Sequence, residues 1–151
     1  MVHRVYEMFL KVPVEKVWEF HSSAEALNAL TPPGKHLRVL SSDLAVRNGA
    51  LHELESQQFG MRLVWAARIS DVTPPFGFTD TAEKSPFAFW QHRHEFRPEG
   101  NGTRLVDTLT YALPFGPLGQ LADWLFVRRQ VDSLFAFRHA ATKNELERNL
   151  N

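Results

Sequence analysis

Six segments of strand character, cut apart by turn residues and followed by one long helical run, leave this chain few architectures. The segments cover about 36–43, 50–58, 61–72, 75–82, 87–97 and 103–113. Between them stand Asn48-Gly49, Gly60, Pro74-Pro75, Ser85-Pro86 and Gly100-Asn101-Gly102, which are the residue types that tight connections use. Consecutive hairpins predict an antiparallel meander. From Leu118 to about Arg148 the pattern turns helical, with no proline and, past Gly119, no glycine. A helix of roughly 30 residues is about 45 Å long, more than a small domain needs.

Ahead of the meander, residues 2–11 alternate with period two and predict a first strand. Pro13 can open a helix where its missing N–H costs nothing, and Val14, Val17, Trp18 and His21 recur at helical spacing. Ser22-Ser23 can cap a second short helix before Thr31-Pro32-Pro33-Gly34 breaks the chain. On the long helix the inner stripe reads Leu121, Trp124, Val127, Val131, Leu134, Phe135 and Arg138. Leu125, Phe126 and Phe137 nevertheless leave 118–137 apolar nearly all round. That half is expected to sit across a pocket mouth, bend into two pieces, or meet another subunit as a homodimer.

Composition closes off several function classes. With 151 residues the chain has the size of one domain, 1–151. Lys plus Arg and Asp plus Glu balance at 17 each, so no net field draws it to nucleic acid or an anionic bilayer. The absence of cysteine excludes disulfides, thiolate nucleophiles and Cys-based zinc sites. Neither a leader pattern nor a segment apolar enough for stable membrane insertion is found, and a cytoplasmic location is expected. Twelve Phe and four Trp predict either a well-filled core or the lining of a pocket.

Alternation places Trp90, His92, His94 and Phe96 on one face of their strand, taken as the inner one. The apolar sets of the flanking strands carry Asp80 and Asp107 inward with them, beside Phe78 and Tyr111. Turn positions predict that Asp80 and Asp107 both lie opposite His92. A buried carboxylate needs a partner, and an imidazole between two carboxylates can supply it. This row fits a satisfied network that pins register, a polar anchor for a ligand, or general acid–base chemistry with His92 as the titrating group. His92 and His94, with Asp107 as a third group, have a spacing that can ligate metal, but a lone His-x-His pair is a weak signal, so no metal or cofactor is assigned. No phosphate-cradling glycine loop or Gly-x-Ser-x-Gly elbow is present.

The order strand, two short helices, meander, long helix resembles the helix-grip fold of the START, Bet v 1 and polyketide-cyclase superfamily, often called SRPBCC. The stretch Ser85-Pro86-Phe87-Ala88-Phe89-Trp90-Gln91-His92-Arg93-His94-Glu95-Phe96 is similar to a Gly-Pro-Phe…Trp-x-His-x-His-x-Phe stretch of a bacterial branch labelled cyclase/dehydrase-like or cell-division-inhibitor-like, with Ser85 in place of Gly. Gly102-Thr103-Arg104-Leu105-Val106-Asp107 and Tyr111-Ala112-Leu113-Pro114-Phe115-Gly116 extend the likeness.

The resemblance implies an α+β fold in which a curved seven-stranded antiparallel sheet wraps the C-terminal helix around a hydrophobic cavity. It implies a lipid- or polyketide-like apolar ligand, contacted by Trp65, Phe78, Asp80, Trp90, His92, His94, Asp107, Tyr111, Trp124 and Phe135. Two other readings stay open: a cyclase or dehydratase using His92 with Asp80 or Asp107, and an interaction module related to cell division.

Overall fold

The first strand of the chain pairs with the last, so a meander of hairpins becomes one continuous sheet whose middle is built from the segments rich in inward aromatics. The computed structural model describes residues 1–58, 60–148 and 150. Strand β1 (Val2–Leu10) is followed by helices α1 (Val14–His21) and α2 (Ala24–Ala29). Then come β2 (His36–Val39), β3 (Leu51–Gln58), β4 (Met61–Thr73), β5 (Gly77–Lys84), β6 (Phe89–Glu99) and β7 (Gly102–Ala112). The sheet has seven strands in the order β1-β7-β6-β5-β4-β3-β2, and every neighbouring pair is antiparallel. Register shifts between Ala66 and Ala67 and between Ser70 and Thr73 interrupt the β4–β5 ladder and bend the sheet there.

Local chemistry sets the boundaries. Ser23 caps α2 by accepting a hydrogen bond from the Ala26 amide. Gly77 begins β5 at φ 149°, where a Cβ would fall 2.1 Å from the His94 carbonyl oxygen, so only glycine lets β5 close on β6 at this point. Strand β2 ends at Val39, short of the expected residue 43: the chain leaves the sheet edge for a loop in which Asp43 accepts from the Ala45 amide.

The C-terminal helical run extends from Pro117 to Glu147 but is not uniform. Helix α3 (Pro117–Ala122) passes through a wide π-helical turn (Asp123–Val127) into α4 (Arg128–Glu147). The turn corrects the expected inner stripe. Leu121 and Trp124 face solvent, and Gly119 and Asp123 are the buried positions instead. Beyond the turn the stripe holds, with Val131, Phe135 and Thr142 buried. The run passes through this turn as one continuous helix, and before the turn's end Phe115, Leu118, Trp124 and Phe126 are exposed.

Two groups fix α4 on β1. The Asp132 carboxylate accepts from Arg4 at 2.6 and 2.7 Å and from the Tyr6 hydroxyl at 2.6 Å. The Tyr6 ring stacks on Phe135 at 4.4 Å. The ion pair is partly solvated and adds little, whereas truncating a buried Phe such as Phe135 costs about 3–5 kcal/mol.

The core is in two apolar parts. One gathers Leu10, Val17, Phe78, Phe96 and Leu105, with Trp18 and Leu146 against them. The other gathers Trp90, Leu109, Tyr111, Val131 and Phe135, with Trp65 and Phe87 against them. Along β5, β6 and β7 the inward residues run apolar, polar, apolar: Phe78, Asp80, Ala82; then Phe96, His94 and His92, Trp90; then Leu105, Asp107, Leu109. A polar layer therefore lies between two hydrophobic ones.

Candidate functional site

The polar layer is assembled by register. Asp80 lies opposite His92 across β5 and β6, as the turns predict. Asp107 lies opposite His94, not His92, because the β6–β7 hairpin turns on Gly100-Asn101, with Gly100 at φ 55°, one residue beyond the expected centre. A shift of two residues keeps the inward face unchanged, so Asp107 still meets both imidazoles.

His92 Nε2 lies 2.7 Å from Asp107 Oδ1, and His139 Nε2, from α4, lies 2.6 Å from Asp107 Oδ2. His94 Nε2 lies 2.8 Å from Asp80 Oδ2. An ionised carboxylate only accepts, so each of these imidazole nitrogens is a donor. His92 Nδ1 then faces Asp80 Oδ2 at 3.7 Å, and His94 Nδ1 faces Asp107 Oδ1 at 3.5 Å. The two imidazole rings overlap at 3.7 Å, and Phe78 stacks on the far side of His94 at 4.3 Å.

Burial alone would raise the Asp107 carboxyl, but the attraction of His92 and the hydrogen bonds from His139 and His92 outweigh it, holding Asp107 well below the usual carboxylate range. Burial likewise works against Asp80, and the His94 hydrogen bond together with His92, His94 and Arg138 brings it down. His94 is pushed towards its neutral form by burial and by His92. Burial takes His21, whose Nδ1 donates to the Val17 carbonyl at 2.8 Å, down to about 4.

Arg138 completes the layer. Its guanidinium lies 5.6 Å over the Phe135 ring, and its Nε is shielded from water without a hydrogen-bond partner among the described residues. Burial lowers its pKa against the pull of Asp80 and Asp107. His94 Nδ1 is likewise shielded and unpartnered.

A cavity of about 30 Å³ lies among these groups, lined by His21, His92, His94, Asp107, Arg138 and His139. It has room for one or two waters. A larger depression of about 270 Å³, between Phe76 and Pro98, lies elsewhere, beside Arg93, Glu95 and Arg97, whose charges already pair with one another.

The expected hollow interior is therefore corrected. Phe87, Trp90, Trp65 and Tyr111 fill the space beside the polar layer, with Phe87 at 4.8 Å and Trp65 at 5.4 Å from Trp90. Of the ten expected ligand contacts, Asp80, His92, His94 and Asp107 come together, with Phe78 stacked on His94 and Phe135 edge-on to His92 at 5.0 Å. Trp65, Trp90 and Tyr111 belong to the adjoining aromatic layer. Tyr111 is not free for a ligand, since its hydroxyl donates to Asp123 at 2.5 Å. Trp124 is 68% exposed and closes nothing, because the π-helical turn rotates it away.

Sequence reasoning passed over His139 and His21 as site residues and gave Arg138 no role. The signal for two of them was available: Arg138 and His139 stand three and four residues after Phe135, on the face it shares. Asp80, His92 and His94 also each offer one ligand atom, all within 4.8 Å of one another, and so could hold a metal ion.

An open antiparallel sheet gripping a terminal helix, with a polar layer between two apolar ones, defines a helix-grip protein of the SRPBCC type. The chain belongs to the family described as polyketide cyclase / dehydrase and lipid transport, which matches over residues 10–137. Its fold is similar to that of the Zhui aromatase/cyclase from Streptomyces sp. R1128, at 16% identity over 99% of this chain and 96% of that one, TM-score 0.77. It is also similar to a nucleoside-diphosphate sugar epimerase from Corynebacterium glutamicum, at 22% identity over 95% of this chain but 29% of that one, TM-score 0.71. A protein from Thermus thermophilus shares 23% identity over 93% of this chain and 97% of its own, TM-score 0.68. No curated protein matches. Among the described residues no helix is long and apolar enough to cross a membrane.

Proposed function

We propose that the chain binds a small molecule with an apolar body and an oxygen-bearing head, the head entering the polar layer between the sheet and α4. The observation that carries this reading is Arg138: a guanidinium whose Nε is shut away from water with no acceptor among the described residues. A buried donor left unmade costs about 1–3 kcal/mol, more when charged, and a carbonyl or carboxylate oxygen would recover it. The apolar body would lie along the aromatic layer of Trp65, Phe87 and Trp90, which must part to admit it, as the small cavity requires. The family's description, with both cyclases and lipid carriers in it, supports a guest of this chemistry.

The test is thermal unfolding against a panel of fatty acids, aromatic carboxylates and aromatic ketones, repeated with Arg138→Met. A ligand at 100 times its Kd stabilises by about 2.7 kcal/mol, a rise of roughly 5–11 °C for a chain of this size. The reading requires one panel member to give such a rise and Arg138→Met to abolish it. A panel without effect, or an unchanged rise in the variant, rejects it.

A second reading, acid–base chemistry on the bound molecule, rests on Asp107 orienting two imidazoles at once. A carbonyl head beside Arg138 would acidify its α C–H, with His92 or His139 as base. Hydrogen–deuterium exchange at that carbon, followed by NMR in heavy water and lost in His92→Asn and His139→Gln, tests it; exchange no faster than in buffer refutes it.

A further inference from the structure

In the polar layer acceptors face acceptors. His92 Nε2 donates to Asp107 at 2.7 Å, and its Nδ1, a lone pair whenever the ring is neutral, faces the Asp80 carboxylate at 3.7 Å. His94 has one nitrogen on Asp80 at 2.8 Å and the other shielded, unpartnered, and 3.5 Å from Asp107 Oδ1. A metal cation held between Asp80 and the two rings turns these contacts from repulsive to attractive, as a proton on His92 Nδ1 also does.

We infer that Asp80 Oδ2, His92 Nδ1 and His94 Nε2 form a binding site for one divalent transition-metal ion of the zinc type. Each of the three residues offers a ligand atom within 4.8 Å of the other two, Asp80 Oδ2 lying 2.8 Å from His94 Nε2 and 3.7 Å from His92 Nδ1, and two ligands on one ion at about 2.0–2.2 Å each stand up to roughly 4 Å apart, so small side-chain rotations complete the set. Ligation through His94 Nε2 moves that ring's proton to Nδ1, where Asp107 Oδ1 is the nearest carboxylate oxygen. The buried nitrogen left without a partner thereby gains one. Asp107 then serves both ligating imidazoles as the outer carboxylate that fixes their tautomers, itself held by His139 at 2.6 Å. Two imidazoles and one carboxylate, without thiolate or an oxygen cage, suit zinc, cobalt or ferrous iron and not calcium or magnesium. The expected third ligand, Asp107, is replaced by Asp80, which lies directly across from His92.

Metal binding is measured without any organic ligand, so its result is independent of the small-molecule reading. The chelator-stripped full chain is titrated with Zn(II) by calorimetry and with Co(II) by visible absorption at neutral pH. One ion per chain is expected, with a Kd in the micromolar range or tighter. Asp80→Asn and His94→Gln should weaken binding by more than about 100-fold, Asp107→Asn by about 10–100-fold as the outer carboxylate, and the exposed His36→Gln not at all. Should the ligand variants fail to fold, the Co(II) protein itself decides, because two ligating imidazoles give two strongly shifted exchangeable N–H resonances in the proton NMR spectrum. Absence of saturable binding at millimolar ion would show that a proton, not a metal, sits between the rings. Binding undiminished in folded Asp80→Asn, or a Co(II) spectrum without imidazole resonances, would also overturn the assignment.

Discussion

Asp107 on β7 and His139 on α4 are joined by a 2.6 Å hydrogen bond that ties helix to sheet from within the protein. Because Asp107 also accepts from His92, removing its carboxylate leaves two buried imidazoles without acceptors. Asp107→Ala is expected to cost about 3 kcal/mol or more, since breaking one side of a buried polar pair strands the other. For a chain of this length that lowers Tm by roughly 6–12 °C. Urea unfolding with an unchanged m-value checks it, and a loss below about 1 kcal/mol would mean the network contributes little.

Acid should weaken the fold in two stages. Burial holds His21 at about 4, against 6.5 for a free imidazole. Between those values the unfolded chain takes up a proton that the folded chain refuses, so stability is full above about pH 6.5 and declines by about 3 kcal/mol at most as pH falls to 4. His94, also lowered, acts in the same direction. Asp80 and Asp107 lie below the usual carboxylate range, so their contribution persists to about pH 4 and is lost only below it. The unfolding free energy of His21→Leu, measured from pH 7 to 4, should fall less steeply than that of the unaltered chain; parallel slopes would refute the assignment.

Two tryptophans should behave oppositely. Trp90 is 7% exposed within the aromatic layer, and Trp90→Ala is expected to cost about 3–5 kcal/mol. Trp124→Ala, at a solvent-facing position, should change stability by less than about 0.5 kcal/mol. Chemical denaturation of both variants measures the contrast, and comparable losses would place Trp124 in the core after all.

Tyr111 anchors the π-helical turn through its hydroxyl on Asp123, which Arg128 also contacts at 2.9 Å. Tyr111→Phe removes that bond and leaves the ring, at an expected cost of about 1–2 kcal/mol. Amide exchange should quicken in residues 117–127 while β6 and β7 stay protected, as mass spectrometry of peptides would show. Uniform exchange across the chain would indicate that the segment is held by something else.

Much of this arrangement was legible in the residues. Period-two alternation separated Asp80, His92, His94 and Asp107 from their outward neighbours, and turn residues located five of the hairpin connections. An error of two residues at Gly100-Asn101 did no harm because it preserved the face. The helix was harder. An uninterrupted apolar surface from 118 to 137 contains no mark of where the backbone widens, so a single stripe was carried through Trp124. Nor does alternation reveal volume: the aromatics that could line a pocket are the same residues that fill one, and only coordinates separate the two.

The widened turn at 123–127 holds more residues than a regular one, so everything before it is wound out of phase with everything after it. Winding the same residues as an ordinary α-helix, with the extra one no longer absorbed, would swing α3 by about 100° around its axis. Trp124 would trade places with Asp123 at the sheet, and Tyr111 would lose its acceptor to a bulky ring. A one-residue frame thus decides whether this end of the helix offers a carboxylate or an indole to the interior.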